Sequence, residues 1–149
     1  MKLLAALLAV TFLGTPAMAA GPGVQVQAAW SRPAAAGGTG AGFMTLSNPT
    51  RKADALVAVE SPFARTVEMH RSAVGGAMAS MQKLPRIEVP AGGTVTLAPG
   101  GYHLMFVGLT RPLKVGDVLP ATLTFASGAK LKATFKVGLA APAAEHAHH

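Results

Sequence analysis

Glycine and proline interrupt this chain too often for a long helix to form. Seventeen glycines and eleven prolines stand among 149 residues, many of them in turn-forming clusters: Asn48-Pro49, Gly75-Gly76, Pro90-Ala91-Gly92-Gly93, Pro99-Gly100-Gly101 and Ser127-Gly128. Glycine takes up the positive φ of tight turns at no steric cost, and proline cannot donate to a helix or sheet ladder. The segments between the clusters are therefore short strands. Lys130 to Val137 shows the period most clearly. Lys130, Lys132, Thr134 and Lys136 fall on one face, and Leu131, Ala133, Phe135 and Val137 on the other, the pattern of a strand with one wet side.

The other segments fit the same scheme. Strands are expected at Val24–Trp30, then at Gly42–Leu46 after a small-residue loop from Pro33 to Gly42, and at Ala53–Glu60. Thr66–His70 and Ala77–Lys83 form a hairpin around Gly75-Gly76. A strand that starts at Ile87 and Val89 is interrupted by Pro90 to Gly93 and continues over Thr94–Leu97. Tyr102–Leu109 is the strongest strand, and Val118–Phe125 with Lys130–Val137 makes a final hairpin. About eight to ten short strands without a helical period predict an all-β fold, a β-sandwich or Greek-key barrel.

The N-terminus reads differently. Met1-Lys2 gives a positive start, Leu3 to Leu13 is an almost unbroken apolar run, Gly14-Thr15-Pro16 breaks it, and Ala17-Met18-Ala19 supplies a small-x-small cleavage site. Residues 1–19 are read as a secretory signal peptide. The run is shorter than the roughly 20 residues that span a bilayer, and the mature chain has no transmembrane pattern. Removing 19 of 149 residues leaves 130, enough for one buried core. Residues 20–139 form that domain, and the Ala-, Pro- and His-rich run 140–149 is an unstructured tail.

There is no cysteine, so an exported chain of this kind has no disulfide framework and relies on its core. Thiol redox chemistry and a cysteine-ligated blue-copper centre are also excluded. The formal charge is +7 with six acidic residues. Few aromatics means no stacking platform for bases, so no nucleic-acid partner is expected. The positive charge serves solubility or attracts an acidic protein or an anionic membrane surface.

One constellation carries chemistry. His70 is followed by ten residues, then Met81, then twenty-one residues, then His103-Leu104-Met105. Two imidazoles and two thioethers make a soft, uncharged donor set that suits cuprous copper far better than zinc, magnesium or calcium. Thioethers are not protonated near neutral pH and do not close into disulfides, so they keep binding where thiolates fail. His103 and Met105 are two apart on one strand and share a face, with Cα atoms about 6.7 Å apart. Glu68 and His70 share the wet parity of their strand, and Val67 and Met69 the apolar one. Most methionines pack in cores, and Met44, Met69 and Met78 are read so. In the tail, His146, His148 and His149 are either a loose terminus or an imidazole cluster for cupric ion or zinc. Asp54 and Asp117, the only aspartates, fall at turns or strand starts. No Ser-His-Asp set, carboxylate pair or phosphate loop appears, so no enzymatic activity is expected.

The stretch His-x10-Met-x21-His-x-Met, with Val89-Pro90-Ala91-Gly92-Gly93, Leu97 to Met105, Gly108-Leu109, Pro112-Leu113 and Gly116-Asp117, resembles the signature of the periplasmic copper chaperones called PCuAC. Ala29-Trp30-Ser31-Arg32 and Leu46-Ser47-Asn48 are similar to that family's N-terminal strands. The resemblance spans about Val24 to Val137. It implies a cupredoxin-like barrel in the periplasm that binds one Cu(I) through His70, Met81, His103 and Met105. It also implies delivery toward the binuclear copper centre of cytochrome c oxidase, on subunit II, alongside a Sco-type protein. Many members carry a histidine-bearing tail, and a Cu(II) site on His146, His148 and His149 is its expected counterpart here. Sequestration of copper for tolerance would use the same four ligands. Arg71 and Lys83 flank the motif and are expected to steer an acidic acceptor.

Overall fold

The computed structural model describes residues 23–75 and 78–143. The signal segment 1–19, the tip of the hairpin after Gly75, the Met78 side chain and the tail histidines His146, His148 and His149 lie outside what is described. Ten strands follow in order: β1 (Gln25–Ser31), β2 (Thr39–Ser47), β3 (Asp54–Glu60), β4 (Ala64–Gly75), β5 (Met78–Leu84), β6 (Ile87–Val89), β7 (Thr94–Leu97), β8 (Tyr102–Leu109), β9 (Val118–Phe125) and β10 (Lys130–Val137). There is no helix among the described residues.

The strands form one strongly curled sheet in the order β5-β4-β8-β2-β1-β10-β9-β3-β6, with β7 on the second half of β2. Only β1 and β10 run parallel. The sheet bends until β3 approaches β4 across an open seam lined by Val59, Glu60, Arg65 and Thr66. This is the all-β, nearly closed barrel that the turn spacing and alternation predict. Along β10, Ala133, Phe135 and Val137 are buried while Lys130, Lys132, Thr134 and Lys136 are exposed.

Two expectations are corrected. β2 begins at Thr39, inside the segment expected as loop. Thr39 to Gly42 pairs with Val107 to Leu104 of β8, a stretch whose small residues let another element come close. A Cβ on Gly42 would sit 2.6 Å from the Phe106 ring and 3.4 Å from that of Phe135. Those two rings pack edge to face at 5.5 Å in the middle of the core. Glycine here is thus a packing requirement in a strand, not a loop signal. Secondly, Ile87 to Leu97 is not one interrupted strand. β6 pairs with β3 and β7 with β2, in different parts of the barrel. Pro90 ends the ladder, and Gly92 turns the chain at φ 64°.

Asn48 holds that corner. It is buried, and its amide donates to the carbonyls of Lys52 and Val89 at 2.7 and 3.1 Å. Its side-chain oxygen accepts from the backbone N–H and the hydroxyl of Thr50. A buried amide fully paired in this way costs little and fixes three backbone segments at once.

Asp54 opens β3 and Asp117 directly follows the turn before β9, the strand-start and turn positions expected of them. Asp117 accepts from the backbone N–H of Lys114 at 2.9 Å. Asp54 accepts from the Ser127 hydroxyl at 2.6 Å and from the amides of Ala55 and Ser127. Burial pushes the Asp54 carboxyl up, but those hydrogen bonds and nearby Arg86 outweigh it and hold it below the ordinary 3.8. A carboxyl lowered on folding stabilises the fold above its unfolded pKa and loses that contribution as pH falls through the folded value. Asp54→Asn is expected to lower Tm at neutral pH and to differ less from wild type in acid, measured by thermal melts across pH. Gly42→Ala should cost about 1–3 kcal/mol by overpacking against Phe106, seen as a Tm loss of several degrees.

Candidate metal centre

β4 and β8 run antiparallel with Glu68 opposite Met105, His70 opposite His103 and Arg71 opposite Tyr102. On the other side of β4, His70 pairs with Lys83 and Ser72 with Met81. Alternation then sorts these residues. Met69, Leu104 and Phe106 enter the core. Glu68, His70, Ser72, Met81, Lys83, His103 and Met105 share the opposite face. The four residues with soft or borderline donors therefore lie on one surface spanning three adjacent strands.

The histidine pair is the centre of that surface. The ring centroids are 5.8 Å apart, with planes inclined by 36°. His103 is only 4% exposed, and the His70 side chain 16%. Nδ1 of His103 lies 3.0 Å from the carbonyl of Gly101. A carbonyl only accepts, so Nδ1 carries the proton and Nε2 is left as a bare lone pair. The same carbonyl accepts the backbone N–H of Ser72 at 3.0 Å, which binds the Pro99-Gly100-Gly101 turn to β4. Nε2 of His70 lies 2.8 Å from Oε2 of Glu68. The carboxylate accepts, so Nδ1 of His70 is the bare nitrogen. Both bare nitrogens are buried and have no hydrogen-bond partner.

An unpartnered buried acceptor costs about 1–3 kcal/mol, and native proteins keep few of them. Two on neighbouring strands form a site short of an electron-pair acceptor. An ion held at about 2.0–2.1 Å by one nitrogen of each ring would stand roughly 3.2 Å from either centroid, so the observed ring separation accommodates one ion between them. Among the described residues no group of three or more His, Cys, Asp or Glu could hold a metal. The soft donors on this face are thioethers. Met105 is half-buried beside His103, and Met81 is 62% exposed. Met81 is one diagonal step from His70 on the shared face, within reach of a long side chain. It stands at the root of a ribbon, because β4 pairs with β8 only as far as Arg71, while Ser72 to Gly75 pairs with β5 alone.

Glu68 ties this face together. Its second oxygen, Oε1, accepts from Nζ of Lys83 at 2.9 Å. The hydrogen bonds from His70 and then Lys83, with the Lys83 charge beside them, hold the Glu68 carboxyl below its ordinary range. Lys83, expected to steer an acceptor, is thus paired with Glu68. Arg71 is exposed beside the site, with its guanidinium 5.6 Å from the Tyr102 ring centroid. Glu68 and the Gly101 carbonyl had no expected role. A carboxylate two residues before a candidate ligand, on the same strand face, was the available signal for the first. Nothing in the sequence signals the second.

A family described as "LpqE-like: Putative lipoprotein LpqE-like" matches residues 24–137. The chain belongs to the LpqE-like family. This LpqE-like chain is 36% identical over 107 residues to "Putative lipoprotein Lxx21020" of Leifsonia xyli subsp. xyli (strain CTCB07); the match covers 71% of this chain and 64% of that protein, less than two thirds of the relative's own length. Among solved structures it is similar to CuI-DR1885 from Deinococcus radiodurans, at 34% identity and a TM-score of 0.58 over 75% of this chain and 77% of the other. It shares its fold with the copper-bound PCuAC domain from PmoF2, at 24% identity and a TM-score of 0.68 over 82% and 97%. The fold expected from the PCuAC resemblance is thus met. No helix among the described residues is long and apolar enough to cross a membrane.

If the bare nitrogens are the metal-binding atoms, metal-free protein should show two non-protonated imidazole nitrogens that shift together on titration with one equivalent of Cu(I). His103→Phe should abolish the shift at His70 while leaving the fold intact by circular dichroism.

Proposed function

We propose that this LpqE-like protein is an exported copper chaperone. It holds one Cu(I) between Nδ1 of His70 and Nε2 of His103, with the thioethers of Met105 and Met81 completing the set. The observation that carries this reading is the pair of bare, buried imidazole nitrogens on adjacent strands, on a face that also bears two thioethers. Soft neutral donors favour the cuprous state. The Cu(I)-bound relative from Deinococcus radiodurans, at 34% identity, supports it.

Export follows from residues 1–19 and agrees with the lipoprotein names of the relatives. A site without thiolate keeps its positive charge and releases copper to a partner with tighter ligands. The acceptor we propose is the copper centre of cytochrome c oxidase subunit II, reached directly or with a Sco-type protein. Exposed Met81 is the ligand that such a partner meets first, and Arg71 supplies the local positive charge.

Competition for Cu(I) against a chromophoric chelator tests the site. The chain from Ala20 to His149 is expected to bind one ion. His70→Ala, His103→Ala and the double variant Met81→Leu/Met105→Leu should each lose more than the ten- to hundredfold that an outer-shell change costs. A chain ending at Ala143 should bind as wild type. If truncation abolishes binding and the methionine variant does not, the tail is the metal site and the reading fails. Arg71→Glu is expected to slow transfer to an acidic acceptor at unchanged affinity, read by stopped-flow transfer kinetics. In a deletion strain, loss of oxidase activity at limiting copper supports delivery. Sensitivity only at toxic copper supports sequestration instead.

A further inference from the structure

We infer that Glu68 is a positioning residue that decides which nitrogen of His70 faces the ion, so that the two histidines bind through different atoms. This rests on the Cu(I) reading of the site. The geometry is specific. His70 and His103 are direct register partners, yet their rings are pinned by opposite nitrogens. Glu68 takes the Nε2–H of His70 at 2.8 Å, and the Gly101 carbonyl takes the Nδ1–H of His103 at 3.0 Å. The nitrogens left bare are Nδ1 of His70 and Nε2 of His103, the two unpartnered buried side-chain atoms among the described residues.

The choice has a consequence for shape. Nδ1 lies next to the ring carbon that joins the backbone, and Nε2 lies at the far side of the ring. An ion between the rings would therefore be met by His70 through the nitrogen beside its attachment carbon and by His103 through the far nitrogen, an unsymmetrical pair. A hydrogen bond from the non-ligating nitrogen to a carboxylate also raises the basicity of the ligating one and fixes the ring's rotation. Lys83 completes the arrangement. It occupies Oε1 of Glu68 at 2.9 Å, which leaves Oε2 for His70. A glutamate side chain with three torsions is thereby held at both oxygens, and the ring inherits its order.

Imidazole nitrogen-15 correlation spectra of the Ala20–His149 protein test this without dependence on copper. They are recorded metal-free at mildly alkaline pH, where histidines are neutral. Wild type is expected to show His70 protonated at Nε2 and His103 protonated at Nδ1. Glu68→Ala should turn His70 into a mixture of the two forms and leave His103 unchanged. Glu68→Gln keeps an acceptor oxygen and should retain the wild-type form. Lys83→Met should retain it too. Addition of one equivalent of Cu(I) should then shift Nδ1 of His70 and Nε2 of His103, and Glu68→Ala should bind Cu(I) about 10- to 100-fold more weakly, as outer-shell losses generally do. The inference is overturned if metal-free His70 carries its proton on Nδ1, or if Glu68→Ala changes neither the His70 form nor the affinity. Failure of wild type to bind Cu(I) would sink the proposed function, while the metal-free spectra would still decide what Glu68 does.

Discussion

The pairing of β4 with β8 is the contact on which the rest of this molecule depends. It sets His70 against His103 on the outer face and, through the same alternation, sends Met69, Leu104 and Phe106 into the core. Side-chain direction alternates with a period of two, so a slip of one residue would turn the apolar set out and the imidazoles in. Site and core are therefore specified by one register. The burial of Leu104 and Phe106 stabilises the alignment that the histidines need, at positions where the histidines themselves contribute unpaired polar atoms.

The remaining strands brace that pair. Gly42 lets β2 lie against Phe106, and the edge-to-face contact of Phe106 with Phe135 carries the packing across to β10. At a second corner of the barrel, Asn48 satisfies backbone groups from β6 and from the chain before β3. Among the described residues, the buried side-chain nitrogens and oxygens left without partners are the two at the histidines. That concentration at one pair of rings distinguishes the histidine face from loose packing.

Much of this was legible in the sequence. The alternation in Lys130–Val137, the Gly and Pro clusters and the His103-x-Met105 spacing gave strands, turns and a shared face, because each depends on local geometry. The core placement of Met69 followed from parity, and that of Met44 from the packing habit of methionine. What was not legible depends on partners distant in sequence. Thr39 to Gly42 reads as a loop until β8 is laid beside it. Ile87 to Leu97 reads as one strand until β3 and β2 each claim half. Lys83 reads as a free cation until Glu68, fifteen positions earlier, is seen to accept its hydrogen bond. The orphaned nitrogens are least visible of all, since they are defined by what the other nitrogen of each ring touches.

The ribbon beyond Arg71 has a mechanical consequence. His70 pairs with β8 and β5 at once, His103 lies opposite it, and Met105 pairs with both β4 and β2, whereas Met81 faces Ser72, where β4 has left the β8 ladder. A two-stranded ribbon is marginally stable by itself and twists more freely than a sheet. Three donors thus belong to a stiff frame and the fourth to a compliant arm. An ion bridging frame and arm would act as a strut, so the stiffness of the arm would report whether the site is filled. On the proposed copper reading, a molecule that touches the arm would sense the ion without reaching the histidines.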